Sequence, residues 1–245
     1  MNFTKLMSQK NMDYHSFASV NAVFLGDSVT HGCFETIKGV TRNVDVVCDF
    51  EEVYHAKFKK LMNSVFPFAP LNIINSGISG EGAPKGLIRI ERDVLRYSPD
   101  LAVINFGLND CGKGIEGINT YTEALDGIFK KLKAAEIETI FMTPNMMCTY
   151  VSPHLDIQGE EFINRARAAA EKQNSGLMDK YMDAARDICA QNKVTVCDCY
   201  NRWKQLFAAG VDITALLVNY INHPTRAAHG IFARELFQMF MFGDN

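Results

Sequence analysis

The chain has 245 residues, of which 47% are hydrophobic and 22% are charged, the usual balance of a globular protein. This length is enough for one sizeable α/β domain with a well-buried core. The formal net charge of -3 gives no reason to expect nucleic acid or an anionic membrane as a partner. No segment approaches the roughly 18 consecutive apolar residues of a membrane span, and residues 1–19 lack the apolar core of a signal peptide.

Seven cysteines are scattered along the chain, at Cys33, Cys48, Cys111, Cys148, Cys189, Cys197 and Cys199. Because a chain of this length does not need disulfides for stability, we interpret them as reduced thiols and predict a cytoplasmic protein. No set of Cys, His, Asp or Glu residues has the spacing of a metal site, and neither a dinucleotide-binding fingerprint nor a phosphate-binding loop is present. The sequence therefore predicts neither a metal nor a cofactor.

Short apolar runs predict the five strands of a parallel sheet, at about 21–26, 71–74, 101–106, 139–142 and 194–197. Apolar residues at helical spacing predict the helices between them, at about 50–65, from Pro84 onward, and at 119–135, 160–191, 200–209 and 225–241. Asn174-Ser175-Gly176 predicts an interruption in the helical region 160–191. This alternation indicates a sheet covered by helices on both faces. We predict a single domain over residues 1–245, with 1–19 as an N-terminal extension and 33–48 as a long connection.

The first strand ends abruptly in Gly26-Asp27-Ser28. In open α/β sheets, ligands bind at the carboxyl ends of the strands, so Ser28 is well placed for chemistry. A serine needs a base and an oxyanion site to act as a nucleophile. The candidate base is His223 in the C-terminal segment, with His229 as its rival.

Two further residues follow predicted strands, Gly77 after the second and Asn109 after the third. Because parallel strands bring their carboxyl ends to one edge of the sheet, we expect Gly77 and Asn109 to lie close to Ser28. The Gly77 N–H, the Asn109 amide and the Ser28 N–H can then donate hydrogen bonds to a tetrahedral oxyanion. The sequence thus predicts the parts of an acyl-transfer site.

These motifs resemble those of the SGNH hydrolases, also called GDSL esterases/lipases. The matches are Gly26-Asp27-Ser28, Asn75-Ser76-Gly77 with Gly80, Gly107-Leu108-Asn109-Asp110, and His223-Pro224, in the family's order and spread over most of the chain. The resemblance implies an α/β fold of three α/β/α layers with a flavodoxin-like sheet of five parallel strands. It also implies Ser28 as nucleophile, His223 as general base, and an oxyanion hole made of Ser28, Gly77 and Asn109.

One departure concerns the acidic residue that family members usually carry three positions before the histidine, where this chain has Tyr220. The carboxylate of a serine triad fixes the histidine tautomer and stabilises the imidazolium. The sequence leaves three substitutes open: a main-chain carbonyl near residues 219–220, the Asn219 side chain, or a distant carboxylate such as Asp212. A Ser28–His223 dyad is the resulting hypothesis.

Other polar and apolar residues near these motifs receive structural interpretations. We expect Asp27 to be a hydrogen-bonding residue beside the nucleophile, and His31 to pack or to face the mouth of the cleft. The Met and aromatic cluster at 146–150 is interpreted as loop packing, with the lining of an acyl pocket as the alternative.

The sequence therefore predicts a serine esterase that hydrolyses a small or short-acyl ester, such as an acetylated carbohydrate. Its predicted partner is a small-molecule ester, without nucleic acid or a membrane span, and its oligomeric state is left open. Two alternatives stay open: an acyltransferase that uses the same acyl-enzyme, and a catalytically silent ligand-binding relative.

Overall fold

The computed structural model describes residues 2–39 and 44–243. Its strands are β1 (Val20–Gly26), β2 (Cys33–Lys38), β3 (Val44–Cys48), β4 (Leu71–Gly77), β5 (Leu101–Asn105), β6 (Glu138–Met142) and β7 (Thr195–Cys197). Its α-helices are α1 (Asn2–Met12), α2 (Ser28–His31), α3 (Tyr54–Val65), α4 (Ala83–Ile88), α5 (Ile90–Asp93), α6 (Ile118–Ala134), α7 (Glu160–Asn174), α8 (Leu177–Asn192), α9 (Cys199–Ala208) and α10 (His229–Phe242). The five predicted strands are confirmed, and so is the interruption between α7 and α8, where Gly176 has a φ of 74°.

A parallel sheet is formed by five of the strands, in the order β4-β1-β5-β6-β7. This is the order of flavodoxin-like folds, in which ligands bind beyond the carboxyl ends of the strands. β1 lies between β4 and β5 and is buried along residues 22–26. The segment that follows β1 therefore starts at the ligand-binding edge, on an interior strand of the sheet.

Helices cover both faces of this sheet. The strand register pairs Phe24 of β1 with Val103 but Phe141 of β6 with the next residue, Ile104, so the two phenylalanines point to opposite faces. Phe24 packs on α3, and Phe141 packs on α6. Because α10 packs with α3, and α4 and α8 pack with α6, the fold has the predicted three α/β/α layers.

The N-terminal segment is more firmly attached than an extension would be. Phe3 and Met7 of α1 are fully buried, and the Phe3 ring lies 4.7 Å from that of Phe240 in α10. α1 is thus part of the hydrophobic core, while Met1 lies outside the described residues. No helix in the described part of the chain is long and apolar enough to cross a membrane.

Residues 33–48 do not form the predicted connection. β2 and β3 pair as an antiparallel hairpin, with Cys33 opposite Cys48 and Lys38 opposite Val44, while residues 40–43 of the predicted connection lie outside the described residues. Most residues of both strands are half-buried or exposed, so the hairpin has no continuous apolar run of the kind that reveals a buried strand. Both strands lie outside the five-stranded parallel sheet, and the apolar runs of the sequence predict only the strands of that sheet.

Two predicted helix starts are wrong by about one turn. Asp49 Oδ1 accepts the N–H groups of Glu51 and Glu52, as a capping residue would, but helical structure begins only at α3. The last helix begins at His229 rather than at 225; the Thr225 N–H donates to the Leu216 carbonyl, and residues 226–228 form a turn that leads into the helix. In both places a hydrogen bond outside the helix precedes its start.

Candidate active site

The candidate nucleophile lies in a tight turn between β1 and α2. A Cβ at Gly26 would lie 2.1 Å from Thr30 Oγ1 and 2.7 Å from the Asn105 carbonyl, so only glycine fits there. Asp27 then caps α2, and Ser28 occupies the first position of the helix. An N–H in the first turn of a helix has no acceptor within the helix, which leaves that of Ser28 available to a ligand.

A hydrogen-bonded chain of three groups connects this serine to the C-terminal segment. His223 Nε2 lies 2.9 Å from Ser28 Oγ, and His223 Nδ1 lies 2.8 Å from the Phe34 carbonyl oxygen. A carbonyl oxygen only accepts hydrogen bonds, so Nδ1 carries the proton and Nε2 presents its lone pair to the Ser28 hydroxyl. This is the tautomer that a general base for Ser28 requires.

The group that orients the histidine is a main-chain carbonyl, but not one near residues 219–220. The carbonyl belongs to Phe34 in β2, and neither Asn219 nor Asp212 forms a hydrogen bond with the imidazole. Asn219 Oδ1 instead accepts the N–H groups of residues 221, 222 and 223, which shapes the loop that carries His223. Asp212 accepts the Tyr150 hydroxyl at 2.8 Å. Both suggested side chains are therefore ruled out as direct partners of the ring.

Burial sets the ionisation of this site. It lowers the pKa of His223 to about 4, against the opposing effect of the hydrogen bond to Phe34, so the imidazole is neutral at neutral pH. Burial also raises the pKa of Asp27 to about 7, although the Val29 N–H donates to its carboxylate. Asp27 contacts the helix start rather than His223, in agreement with the hydrogen-bonding role expected of it.

Gly77, predicted as a main-chain oxyanion donor, does not line the cavity that Asn109 and His223 share. β4 continues to Gly77 instead of ending at 74, and the Gly77 N–H donates to Asn75 Oδ1. Gly77 lines a separate cavity of about 620 Å³ together with His31. A glycine is needed there for packing, because a Cβ would lie 2.1 Å from the His31 nitrogen.

Gly80 occupies the place expected of Gly77. It lines the same cavity as Asn109 and His223, and its φ of +81° is typical of glycine. Within residues 2–39 and 44–243 its N–H has no hydrogen-bond partner. Gly80 is part of the same sequence motif, and because the strand extends three residues beyond its predicted end, the second glycine of the motif rather than the first lines this cavity.

Asn109 is where the sequence predicted it, at the carboxyl edge beside the nucleophile turn. Its Nδ2 donates to the Glu81 carbonyl at 2.9 Å and lies 3.4 Å from Asp27 Oδ2. The second of these contacts is long for a hydrogen bond, so one amide hydrogen can turn to a stronger acceptor such as an oxyanion.

The cavity beside His223 has a volume of about 270 Å³. Two elements wall it, the β2–β3 hairpin with Thr36, Val44 and Val46, and α7 with Phe162 and Arg165. The remaining lining is mostly polar and comprises Ser79, Gly80, Asn109, Asn219, Ile221, Asn222 and His223. Met146 and Met147 do not line it; they are buried in the core, which supports their interpretation as packing residues.

The rival base lies elsewhere. His229 is fully buried, and its Nδ1 accepts the Tyr54 N–H at 3.1 Å, so it is held in the core beside α3. His31 stacks on Phe50 with ring centres 5.9 Å apart and lines the other cavity. Of these three histidines, only His223 contacts the nucleophile.

A comparison of the sequence with known protein families agrees with this geometry. Residues 24–231 match the GDSL-like lipase/acylhydrolase family. The chain belongs to this family. It is thereby a carboxylic ester hydrolase of the SGNH type, and the resemblance drawn from its motifs is confirmed. No curated protein matches the sequence.

Solved structures share the fold of this SGNH hydrolase. The acetylxylan esterase Axe2 from Geobacillus stearothermophilus is 21% identical over 92% of this chain and 95% of its own, with a TM-score of 0.66. LAE5, an alpha/beta hydrolase from the metagenome of Lake Arreo in Spain, is 21% identical over 94% and 99%, with a TM-score of 0.66. A two-domain esterase active on acetylated mannans is 18% identical over 98% and 53%, with a TM-score of 0.65.

Proposed function

We propose that this SGNH hydrolase is a serine esterase that removes short acyl groups from a hydroxyl-rich alcohol, such as an acetylated carbohydrate, through an acyl-enzyme on Ser28. The observation that carries the proposal is the hydrogen-bonded chain from Ser28 Oγ through the His223 imidazole to the Phe34 carbonyl. It supplies a serine, a neutral base and a fixed tautomer in one arrangement.

The reaction follows from the positions of these groups. His223 Nε2 takes the proton of Ser28 Oγ as the oxygen attacks the ester carbonyl. The Ser28 and Gly80 N–H groups and the Asn109 amide stabilise the oxyanion. The imidazolium then gives its proton to the leaving alkoxide, which leaves an acyl-Ser28 ester. Water, deprotonated by His223, attacks this ester and releases the acid with Ser28 restored.

The cavity supports a short acyl group and a polar alcohol. Its volume of about 270 Å³ lies below the range of roughly 300–1,000 Å³ usual for drug-sized ligands. Its lining combines amide and hydroxyl side chains with a few apolar ones, which suits hydroxyl groups next to a small acyl chain. Two of the similar structures are esterases described as acting on acetylated xylan or acetylated mannans, which makes these polymers the first substrates to try.

The test compares p-nitrophenyl acetate, butyrate and octanoate with acetylated xylo- and manno-oligosaccharides. We expect hydrolysis to decrease with acyl length, to disappear in Ser28→Ala, and to fall by about 10²- to 10⁴-fold in His223→Gln. Ser64→Ala and His15→Gln, which replace exposed residues, are the matched controls and should retain the wild-type rate.

Two results would decide against parts of the proposal. An acyl product that forms on an added alcohol faster than free acid appears would make the enzyme an acyltransferase. A wild type as inert as Ser28→Ala on every ester, and unlabelled at Ser28 by a phosphonofluoridate, would indicate a silent ligand-binding protein. A cytoplasmic location and a single domain over residues 1–245 stay predictions from the sequence.

A further inference from the structure

Arg226 joins the histidine segment to the β2–β3 hairpin. It lies three residues after His223, and its guanidinium binds Glu35 in a fork, with Nη1 at 2.6 Å from Oε1 and Nη2 at 3.2 Å from Oε2. Its Nε donates to Asp49 Oδ2 at 2.9 Å. The guanidinium carbon also lies 4.4 Å from the centre of the Phe34 ring.

These contacts are placed at the base of the hairpin, on both of its strands. Glu35 directly follows Phe34 in β2, and Asp49 directly follows the last residue of β3. The Arg226 side chain therefore contacts the base of both strands and the ring of Phe34, whose carbonyl oxygen accepts from His223 Nδ1. Arg–carboxylate forks are geometrically specific, which makes this a precise clamp rather than a loose surface ion pair.

We propose that Arg226 is a positioning residue, which holds the Phe34 carbonyl against His223 Nδ1 and so takes over the orienting task of the acid that this chain lacks. The inference rests on the proposed function, because it concerns the same histidine. It adds a residue that has no contact with the imidazole itself.

The clamp adds to the packing of the Phe34 ring, which is buried with its centre 4.8 Å from that of His229. A two-stranded hairpin is at best marginally stable alone, and in the part of the chain that the structure describes β2 and β3 form strand pairs only with each other. A triad carboxylate attracts the imidazolium even when it is slightly displaced, whereas a neutral carbonyl acts only through its hydrogen bond. A shift of the hairpin would therefore release Nδ1 and allow the imidazole to rotate or to change tautomer.

The ionisation of Glu35 and Asp49 favours the clamp at neutral pH. The hydrogen bonds from Arg226 lower the pKa of Glu35 and of Asp49, so both carboxylates are charged when the guanidinium binds them. Glu35 Oε1 and Asp49 Oδ2 accept from different guanidinium nitrogens, so the two contacts coexist.

The direct test is a nuclear magnetic resonance measurement on protein labelled with ¹⁵N-histidine. The His223 Nδ1–H bonded to Phe34 should give a downfield, slowly exchanging signal, identified by its loss in His223→Gln. We expect this signal to shift upfield or to broaden away in Arg226→Gln and in Glu35→Gln. The His55 Nε2–H, which faces the Thr30 carbonyl at 3.1 Å, is an internal reference and should not change.

Kinetics on p-nitrophenyl acetate then separate positioning from general stability. We expect kcat to fall by about 10- to 100-fold in Arg226→Gln, with a smaller change in KM, because the imidazole acts in the transition state. The double variant with Glu35→Gln should be little worse than Arg226→Gln alone, and Arg226→Lys should restore part of kcat. Arg202→Gln, which removes an ion pair to Glu235 and no contact with the hairpin, is the matched control.

The outcomes are distinguishable. An unchanged His223 signal and kcat in Arg226→Gln would overturn the positioning role. A fall in kcat equal to that of Arg202→Gln, in step with a lower melting temperature, would also overturn it. An inactive wild type whose His223 signal still depends on Arg226 would contradict the proposed function while leaving the positioning inference standing.

Discussion

The two halves of the candidate site are held in different ways. The nucleophile half, β1 with the turn into α2, is fixed by packing: the Gly26 carbonyl accepts from Ile78 and Arg89, and no space is left for a Cβ. The base half, the His223 loop with the β2–β3 hairpin, combines the buried ring of Phe34 with polar contacts among segments that are distant in sequence. We expect the nucleophile half to be disrupted abruptly by substitutions that add atoms. We expect the base half to lose its geometry gradually as hydrogen bonds are removed.

After the nucleophile and the base themselves, the largest effect is expected from Asn109, the proposed oxyanion donor on the sheet edge. Asn109→Ala removes a preorganised amide donor, and we expect kcat for p-nitrophenyl acetate to fall by about 10²- to 10³-fold with KM little changed. Asn119→Ala, at an exposed position in α6, is the control and should be neutral. An Asn109→Ala enzyme with wild-type kcat would mean that the N–H groups of Ser28 and Gly80 suffice.

A smaller, structural effect is expected from the turn itself. Gly26→Ala places a methyl group against Thr30 and the Asn105 carbonyl, and we expect the free energy of unfolding to fall by about 1–3 kcal/mol. Gly112→Ala is the matched control, because a Cβ there meets nothing within 4 Å. Denaturant unfolding measures both. Equal stability of the two variants would show that the turn relaxes and that packing does not hold the nucleophile half rigid.

The two halves also differ in how far the sequence predicts them. Ser28 and Asn109 follow apolar runs directly, so their place at the sheet edge is a local property that a pattern reveals. The Phe34 carbonyl carries no such signal, because every residue has a carbonyl and only the packing of the hairpin selects this one. The sequence favours Gly77 over Gly80 because strand ends are poorly marked in sequence, and a shift of three residues in the strand end places a different backbone N–H in the cavity beside His223.

The smallest expected effect concerns pH and belongs to the base half. The base must be neutral to accept the Ser28 proton, and burial lowers the pKa of His223 to about 4, from about 6.5 for an ordinary histidine. The neutral form therefore predominates above about pH 4, and kcat/KM should change by less than about twofold between pH 7 and pH 5 before it falls at lower pH. An imidazole with an ordinary pKa would lose most of its activity over that interval.

The titration of Asp27 has to be distinguished from that of His223 in this measurement, because the raised pKa of Asp27, about 7, lies in the same pH interval. Its proton changes the charge next to Asn109 but does not remove the lone pair of His223 Nε2. A wild-type profile that falls with a midpoint near pH 6.5 and keeps this midpoint in Asp27→Asn would assign an ordinary pKa to His223. The Phe34 carbonyl and the buried setting would then orient the histidine without holding it neutral. In its pH dependence, the base half would resemble a Ser-His-Asp triad more closely than its contacts indicate.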